Sequence, residues 1–346
     1  DTREIVAYLQ ETYCRTIGAE YMHIQDAAKR RWLQERMEPV RNHPRFTNEQ
    51  KLNVLRSLIE ADGFENFLDT RYKGKKRFGL DGGETLIPML DAIVDGGPER
   101  GVQDFLFSMA HRGRLNVLVN VLHKTYDQIF TEFEEAWVED FIEGGGDVKY
   151  HRGFSSDHIT STGGRIHLTL GPKPSHLEFG HSVQLGRTRA KQGIRGDTER
   201  KQVIPILIHG DAAFPGQGVV AETLNLSRLP GYSTGGTIHI IANNQLGFTT
   251  GYEDAYSTSY ASGLARGFKI PIVHVNADDA EAWVEAARLA IAYRAKFQRD
   301  FLIDLIGYRR HGHNEGDEAS FTQPLMYERI SSHPTVREIW ARTLIE

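Results

Sequence analysis

Apolar positions follow two different rhythms along this chain. In the first seventy residues they recur at helical spacing. Ile5, Leu9 and Tyr13 fall every fourth residue, and Leu52, Leu55 and Leu58–Ile59 fall three to four apart. Asn42-His43-Pro44 marks a break between such segments. Residues 1–76 are therefore expected to form a small helical region. From residue 77 onward short β-rich runs alternate with helical patterns. The expected strands are Phe105–Met109, Arg165–Leu170, Val203–Ile208, Thr237–Ala242, Pro271–Asn276 and Phe301–Ile306. The expected helices lie near 84–95, 113–133, 214–228, 257–268 and 279–298. Strands separated by helices predict a doubly wound, mostly parallel α/β sheet over 77–346. The glycine run 144–146 and the polar stretch 193–201 read as exposed loops.

Composition narrows the class without naming a function. The chain has 346 residues, of which 40% are hydrophobic and 25% charged, as in an ordinary globular protein. A net charge of −5 argues against general affinity for nucleic acid. The single cysteine, Cys14, excludes an internal disulfide framework and fits a reducing compartment. No apolar run approaches the roughly 20 residues that span a bilayer. The last ten residues read as an unfinished helix, so the chain is expected to be a fragment of a longer one.

The most informative pair is Asp211 and Asn244. Asp211 follows the run Val203–Ile208, and Asn244 stands 33 positions later, after the next run. Each ends a strand and opens a glycine-containing turn, where an open α/β sheet places ligand groups. A carboxylate, a carboxamide and the carbonyl of Leu246 supply the oxygen donors that Mg²⁺ requires, with phosphate completing the shell. Gly216 and Gly218 lead into a helical pattern whose N-terminus suits a phosphate. On spacing alone, an acidic residue after a strand is equally an ordinary feature of a doubly wound fold.

The histidines also cluster at expected strand ends. His111, Arg112, Gly113 and Arg114 follow the strand ending at Met109. They suit an anionic ligand, although a helix start with solvated charges has the same composition. His151 lies in a loop, where histidines are commonly solvated. His176 sits in Pro-Ser-His-Leu-Glu, with Ser175 an expected N-cap and Glu178 its capping-box partner. His313 follows the strand ending at Ile306, and Arg309–His311 reads as structural or interfacial. No histidine pair has the His-Glu-x-x-His spacing of a zinc enzyme, no cysteine pair exists, and no nucleophile elbow is present.

The residues GDAAFPGQG (210–218) and NNQLGFTT (243–250) resemble the thiamine diphosphate motif of the 2-oxoacid dehydrogenases. The form is that of the decarboxylating first component of 2-oxoglutarate dehydrogenase. Further matches are RFGLDGGETLIPML (77–90), MAHRGRLNVLVNVL (109–122), GDVKYHRGFSSD (146–157), PSHLE (174–178), PIVHVNADDAEA (271–282) and YRRHGHNEGDEASFTQPLMY (308–327). This resemblance implies a thiamine diphosphate-binding fold with Mg²⁺ on Asp211, Asn244 and Leu246. It places Arg112 and Ala212 at the cofactor as well. It makes His111 and His151 the substrate-facing imidazoles, with Ser155 nearby, and gives His176 and His313 places in the site. It implies decarboxylation of 2-oxoglutarate and transfer of the succinyl unit to lipoyl groups of a partner acyltransferase. The alternatives are a 2-oxoadipate enzyme or a non-catalytic binding fragment. It also implies a homodimer of the full-length chain, in a bacterial cytoplasm or a mitochondrial matrix, with neither nucleic acid nor membrane as partner. The second homologous domain of such enzymes is not found in these residues. Three positions depart from the family: Lys173 stands where Asn is usual, Ser182 where Pro is usual, and Arg152 where an apolar residue is usual.

Overall fold

The computed structural model describes residues 1–134 and 149–346; the predicted loop at 144–146 lies outside the described residues. The strands are β1 (Ile17–Glu20), β2 (Asp104–Met109), β3 (Phe154–Ile159), β4 (Arg165–Leu170), β5 (Val203–Gly210), β6 (Ile238–Asn243), β7 (Leu246–Gly247), β8 (Thr250–Gly251), β9 (Ile272–Asn276) and β10 (Phe301–Ile306). Eight of them form one sheet in the order β1-β9-β10-β6-β5-β2-β4-β3. The six central strands are parallel, and the two edges, β1 on β9 and β3 on β4, are antiparallel. β7 and β8 make a small separate hairpin.

Burial of both faces explains why the central strands read as continuous apolar runs. Along β6, Ile240 packs into the larger core and Ile241 into a second cluster on the opposite face. Along β10, Phe301, Ile303 and Leu305 face the first and Leu302 the second. This two-residue alternation is that of a strand covered on both sides. The helices Leu86–Asp95 and Ala280–Phe297 pack together over the first face. Their residues include Trp283, which is fully buried.

Several expected elements differ in the structure. The stretch 1–76 contains the helices Thr2–Tyr13, Ala27–Met37 and Asn48–Arg71, but also β1, which joins the main sheet. The segment 113–133 divides into Arg114–Asn116, a π-turn at Val117–Val121 and Tyr126–Phe133. Within 257–268 only Gly263–Gly267 is helical. Of the helix Phe179–Arg195 only a start at Ser175 is expected from the sequence, because its inward stripe is polar: His181, Gln184, Thr188 and Gln192 are its buried residues. Its N-cap is Glu178, in a left-handed conformation (φ 73°), and not Ser175. Glu178 makes no side-chain cap because its carboxylate is drawn inward by His181 and His209.

One buried side chain fastens the carboxyl end of the sheet. Arg114 is fully buried, behind Gly113, whose φ of 70° suits glycine. A Cβ at Gly113 would lie 2.6 Å from Leu80. The Arg114 guanidinium donates to the carbonyls of Met109 (3.3 Å), Arg152 (2.7 Å) and Gly171 (2.6 Å). These carbonyls end β2, precede β3 and follow β4. Burial pushes this guanidinium down to about 9, so it remains a cation at neutral pH. Replacing it with an apolar chain leaves three carbonyls short of their donor. Arg114→Met should lower stability by about 3 kcal/mol in urea denaturation, the order expected for a buried charged donor. A change below ~0.5 kcal/mol would remove Arg114 from this role.

Candidate active site

β2 and β5 are neighbours whose outgoing connections run to opposite sides, β2 toward β4 and β5 toward β6. This is a topological switch point, the place where open α/β sheets bind ligands. His111 follows β2 and Asp211 follows β5, so the two predicted residues flank it. A cavity of about 630 Å³ opens beside them, lined by Phe78, His111, Lys173, Ser175, Leu177, Ala212, Gly247, Phe248, Thr250, Asp254, Ala255 and His313. That volume lies in the range of small-molecule sites.

Asp211 is buried, and the backbone N–H groups of Asp211 and Asn244 lie near enough to its carboxyl to favour the ionised form. The two members of the motif are thus brought together. Burial pushes the Asp211 carboxyl up to about 6, with nearby Asp304 adding to the rise; the two backbone donors and Arg112 act against it. A desolvated carboxylate raised in this way gains most from a cation. The turn after β6 is fixed by its own side chains. Asn243 Oδ1 accepts from Gln245 N (2.9 Å), and Asn244 Oδ1 accepts from Leu246 N (3.1 Å). Gln245, with φ 61°, takes the left-handed bend between them. Leu246 is buried and begins the β7–β8 hairpin.

Sequence reasoning missed what holds this turn. Asn243 Nδ2 donates to Asp304 Oδ1 at 3.0 Å, and Asp304 Oδ2 lies 2.8 Å from His274 Nδ1. His274 Nε2 lies 2.8 Å from Glu20 on β1. Although burial disfavours its charge, Asp304 and Glu20 together raise the His274 imidazole. The available signal was a carboxylate and an imidazole inside otherwise apolar strands, since buried charges require partners.

His111 and His313 meet at the cavity. Their ring centroids are 5.6 Å apart, and Phe78 lies 4.2 Å from His111 and 5.4 Å from His313. Burial, together with the charges of Arg112 and Lys173, pushes His111 down to about 3. Burial, Arg112 and Arg309 push His313 down to about 4. Arg112 is committed to the frame, donating to Gly79 O (2.9 Å) and His313 O (2.8 Å). Burial lowers it to about 10, which leaves it charged at neutral pH.

His151 stands behind the cavity wall. Its Nδ1 lies 2.8 Å from Lys173 O, its Nε2 lies 3.5 Å from Ser175 Oγ, and its carbonyl accepts from Lys173 N at 3.1 Å. Ser155 is exposed on β3, bonded to Thr169 Oγ1 at 3.0 Å, and does not line the cavity. His176 is exposed beside Phe179, 5.9 Å between ring centroids. Of the three departures, Lys173 alone lines the cavity. Ser182 Oγ donates to Phe179 O (3.0 Å), and Arg152 lies 3.5 Å from Glu132. Beneath the floor runs a buried chain of polar groups. Ser108 lies 2.8 Å from His181, and Glu178 lies 3.1 Å from His181 and 2.6 Å from His209. His209 in turn lies 3.0 Å from His239. Burial raises the Glu178 carboxyl, but its two imidazole partners outweigh this and hold it well below the usual carboxylate range.

The depressed imidazoles have a measurable consequence. His111 and His313 are neutral in the folded chain at neutral pH, whereas an unfolded histidine titrates near ~6.5. Between ~6.5 and the folded values of about 4 and 3, the unfolded chain binds more protons. Stability is therefore fully present above ~6.5 and declines as pH falls through that window. Imidazole resonances of the two residues should not titrate between pH ~5.5 and ~8. A midpoint near ~6.5 for either would contradict the desolvated site.

Comparison with known proteins gives the family of the chain. Residues 58–346 match the family described as dehydrogenase E1 component. The 2-oxoglutarate dehydrogenase E1 component of Azotobacter vinelandii is 50% identical over 345 residues, covering 99% of this chain and 36% of that protein. The protein of the same name from Brucella anthropi is 51% identical over 352 residues, covering 99% and 35% respectively. That from Haemophilus influenzae is 49% identical over 343 residues, covering 99% and 36%. The chain thus spans about a third of the length of these relatives. With the family match extending from Ser57's successor to the last residue, the chain belongs to the dehydrogenase E1 component family.

Proposed function

We propose that this chain is the diphosphate-binding part of an enzyme that oxidatively decarboxylates 2-oxoglutarate and passes the succinyl group to lipoyl groups of a partner acyltransferase. The observation that carries this reading is the pairing of Asp211 and Asn244 at the switch point, beside a cavity lined by His111 and His313. The family implies thiamine diphosphate, and the relatives' shared name supplies the substrate. The donor set fits Mg²⁺ with a diphosphate: a buried carboxylate raised by desolvation, a carboxamide oxygen now held by a backbone N–H, and the Leu246 carbonyl beside them. Bound there, thiamine diphosphate supplies the nucleophile and the electron sink for decarboxylation.

The chain's own residues would shape the substrate side of this site. Phe78 and Phe248 give the cavity an apolar wall. Neutral His111 and His313 each offer one donor and one acceptor to substrate. His151 braces the Lys173–Ser175 wall. Phe179, beside His176, and Val183 are exposed apolar residues. Among the described residues no helix is long and apolar enough to cross a membrane.

Calorimetric titration of the full-length enzyme with thiamine diphosphate and Mg²⁺ tests the clamp. Asp211→Ala should weaken cofactor binding by at least ~100-fold, since a direct ligand matters more than the outer-shell partners that cost up to about that factor. Binding as tight as in the unaltered enzyme would sink the assignment.

A further inference from the structure

Beneath the floor of the cavity three side chains bring their donor atoms to one point. Glu178 and His181 stand three residues apart at the start of the helix Phe179–Arg195, and His209 reaches them from β5. All three are buried, at 5%, 4% and 4% exposure. Glu178 Oε2 lies 3.1 Å from His181 Nε2 and 2.6 Å from His209 Nδ1, and the ligand atoms of the three residues fall within 4.8 Å of one another. Hydrogen bonding leaves this cluster incomplete. Among the described residues His181 Nε2 has no hydrogen-bond partner, despite its closeness to Glu178, and Glu178 Oε1 has none either. Two orphaned polar atoms at one buried point call for an explanation, since such groups are nearly always satisfied.

The other nitrogen of each imidazole is held from outside. His181 Nδ1 lies 2.8 Å from Ser108 Oγ, and His209 Nε2 lies 3.0 Å from His239 Nδ1, whose own Nε2 lies 3.4 Å from Asp300. Metal-bound imidazoles are oriented in this way, with one nitrogen on the ion and the other on an outer partner. The hydrogen count points in the same direction. The row from Glu178 through His209 and His239 to Asp300 has three contacts, each needing one hydrogen, whereas two neutral imidazoles carry two. A cation between Glu178 and His209 removes the need for the third. His209 then donates from Nε2 to His239, and His239 donates from Nε2 to Asp300. We propose that Glu178, His181 and His209 form a closed structural site for Zn²⁺, with both Glu178 oxygens and the two imidazole nitrogens as donors. Imidazole nitrogen suits zinc, whereas Mg²⁺ takes oxygen donors, so the two ions sort themselves between this site and the crevice above. Donors from separate residues, ~2.1 Å from a tetrahedral zinc, stand ~3.4 Å apart, so the 3.1 Å pair is near its place and the 2.6 Å pair opens by under ~1 Å. The ion ties the first turn of the helix to β5, two residues before Asp211.

The test is the zinc content and anomalous diffraction of the full-length enzyme. It is produced without a polyhistidine tag in zinc-supplemented medium, because a closed site loads as the chain folds. Dialysis and crystallisation use excess Mg²⁺ and no chelator, so that zinc does not take the oxygen site. About one zinc per chain should remain, and data on either side of the zinc absorption edge should show a peak ~2 Å from His181 Nε2 and His209 Nδ1. Glu178→Gln and His181→Gln should each lower the retained zinc at least ~5-fold, since each removes a ligand. Asp211→Ala should retain it, because that carboxylate belongs to the other site. If the Gln variants do not fold, the peak in the unaltered enzyme still decides. Zinc below ~0.2 per chain in the unaltered enzyme, or a zinc peak only at other residues, overturns the site. That result leaves the cofactor clamp standing, because this inference does not rest on it.

Discussion

The site depends on a single buried guanidinium. Arg114 donates to carbonyls at the end of β2, before β3 and after β4. Those three points root the loops that carry His111, His151 and Lys173. In a low-dielectric interior a cation whose donors meet several backbone carbonyls is held firmly, because any displacement leaves both charge and carbonyls unsatisfied. Gly113 makes the arrangement possible, since its left-handed backbone lets the chain turn beneath Leu80. Three loops distant in sequence thereby act as one wall.

The opposite wall rests on carboxylates instead. Asp211 and Asp304 are both buried, and the charge of Asp304 adds to the rise of the Asp211 carboxyl. Asp304 is compensated by Asn243 and His274, so it braces the turn. Burial raises the Asp211 carboxyl, and backbone N–H groups only partly offset the rise. A cation is the natural complement on that side.

Much of this was legible in the chain itself. The central strands announced themselves as short apolar runs because both faces are covered, and the Asp211–Asn244 pair stood out because each ends such a run. The edges were harder. β3 alternates half-buried and exposed residues, and β1 is four residues long. The helix Phe179–Arg195 defeated the pattern by turning His181, Gln184, Thr188 and Gln192 inward while leaving Phe179 and Val183 exposed. Ser175 looked like an N-cap because its spacing to Glu178 is right, but two buried imidazoles claim that glutamate. The sequence offered His111 and His151 as equals. The fold instead puts His111 on the cavity and His151 behind Lys173, a distinction that depends on tertiary contacts no local pattern carries.

The central claim is that the switch-point crevice holds a divalent cation and a diphosphate between Asp211 and Asn244. Its most direct test is a crystal structure of the full-length enzyme grown with thiamine diphosphate and Mn²⁺, with the metal located by anomalous scattering. The account predicts an anomalous peak within coordination distance of an Asp211 carboxylate oxygen and the Asn244 carboxamide oxygen, with diphosphate density completing the shell. Cofactor density elsewhere, or a peak confined to Glu178, His181 and His209, would contradict it.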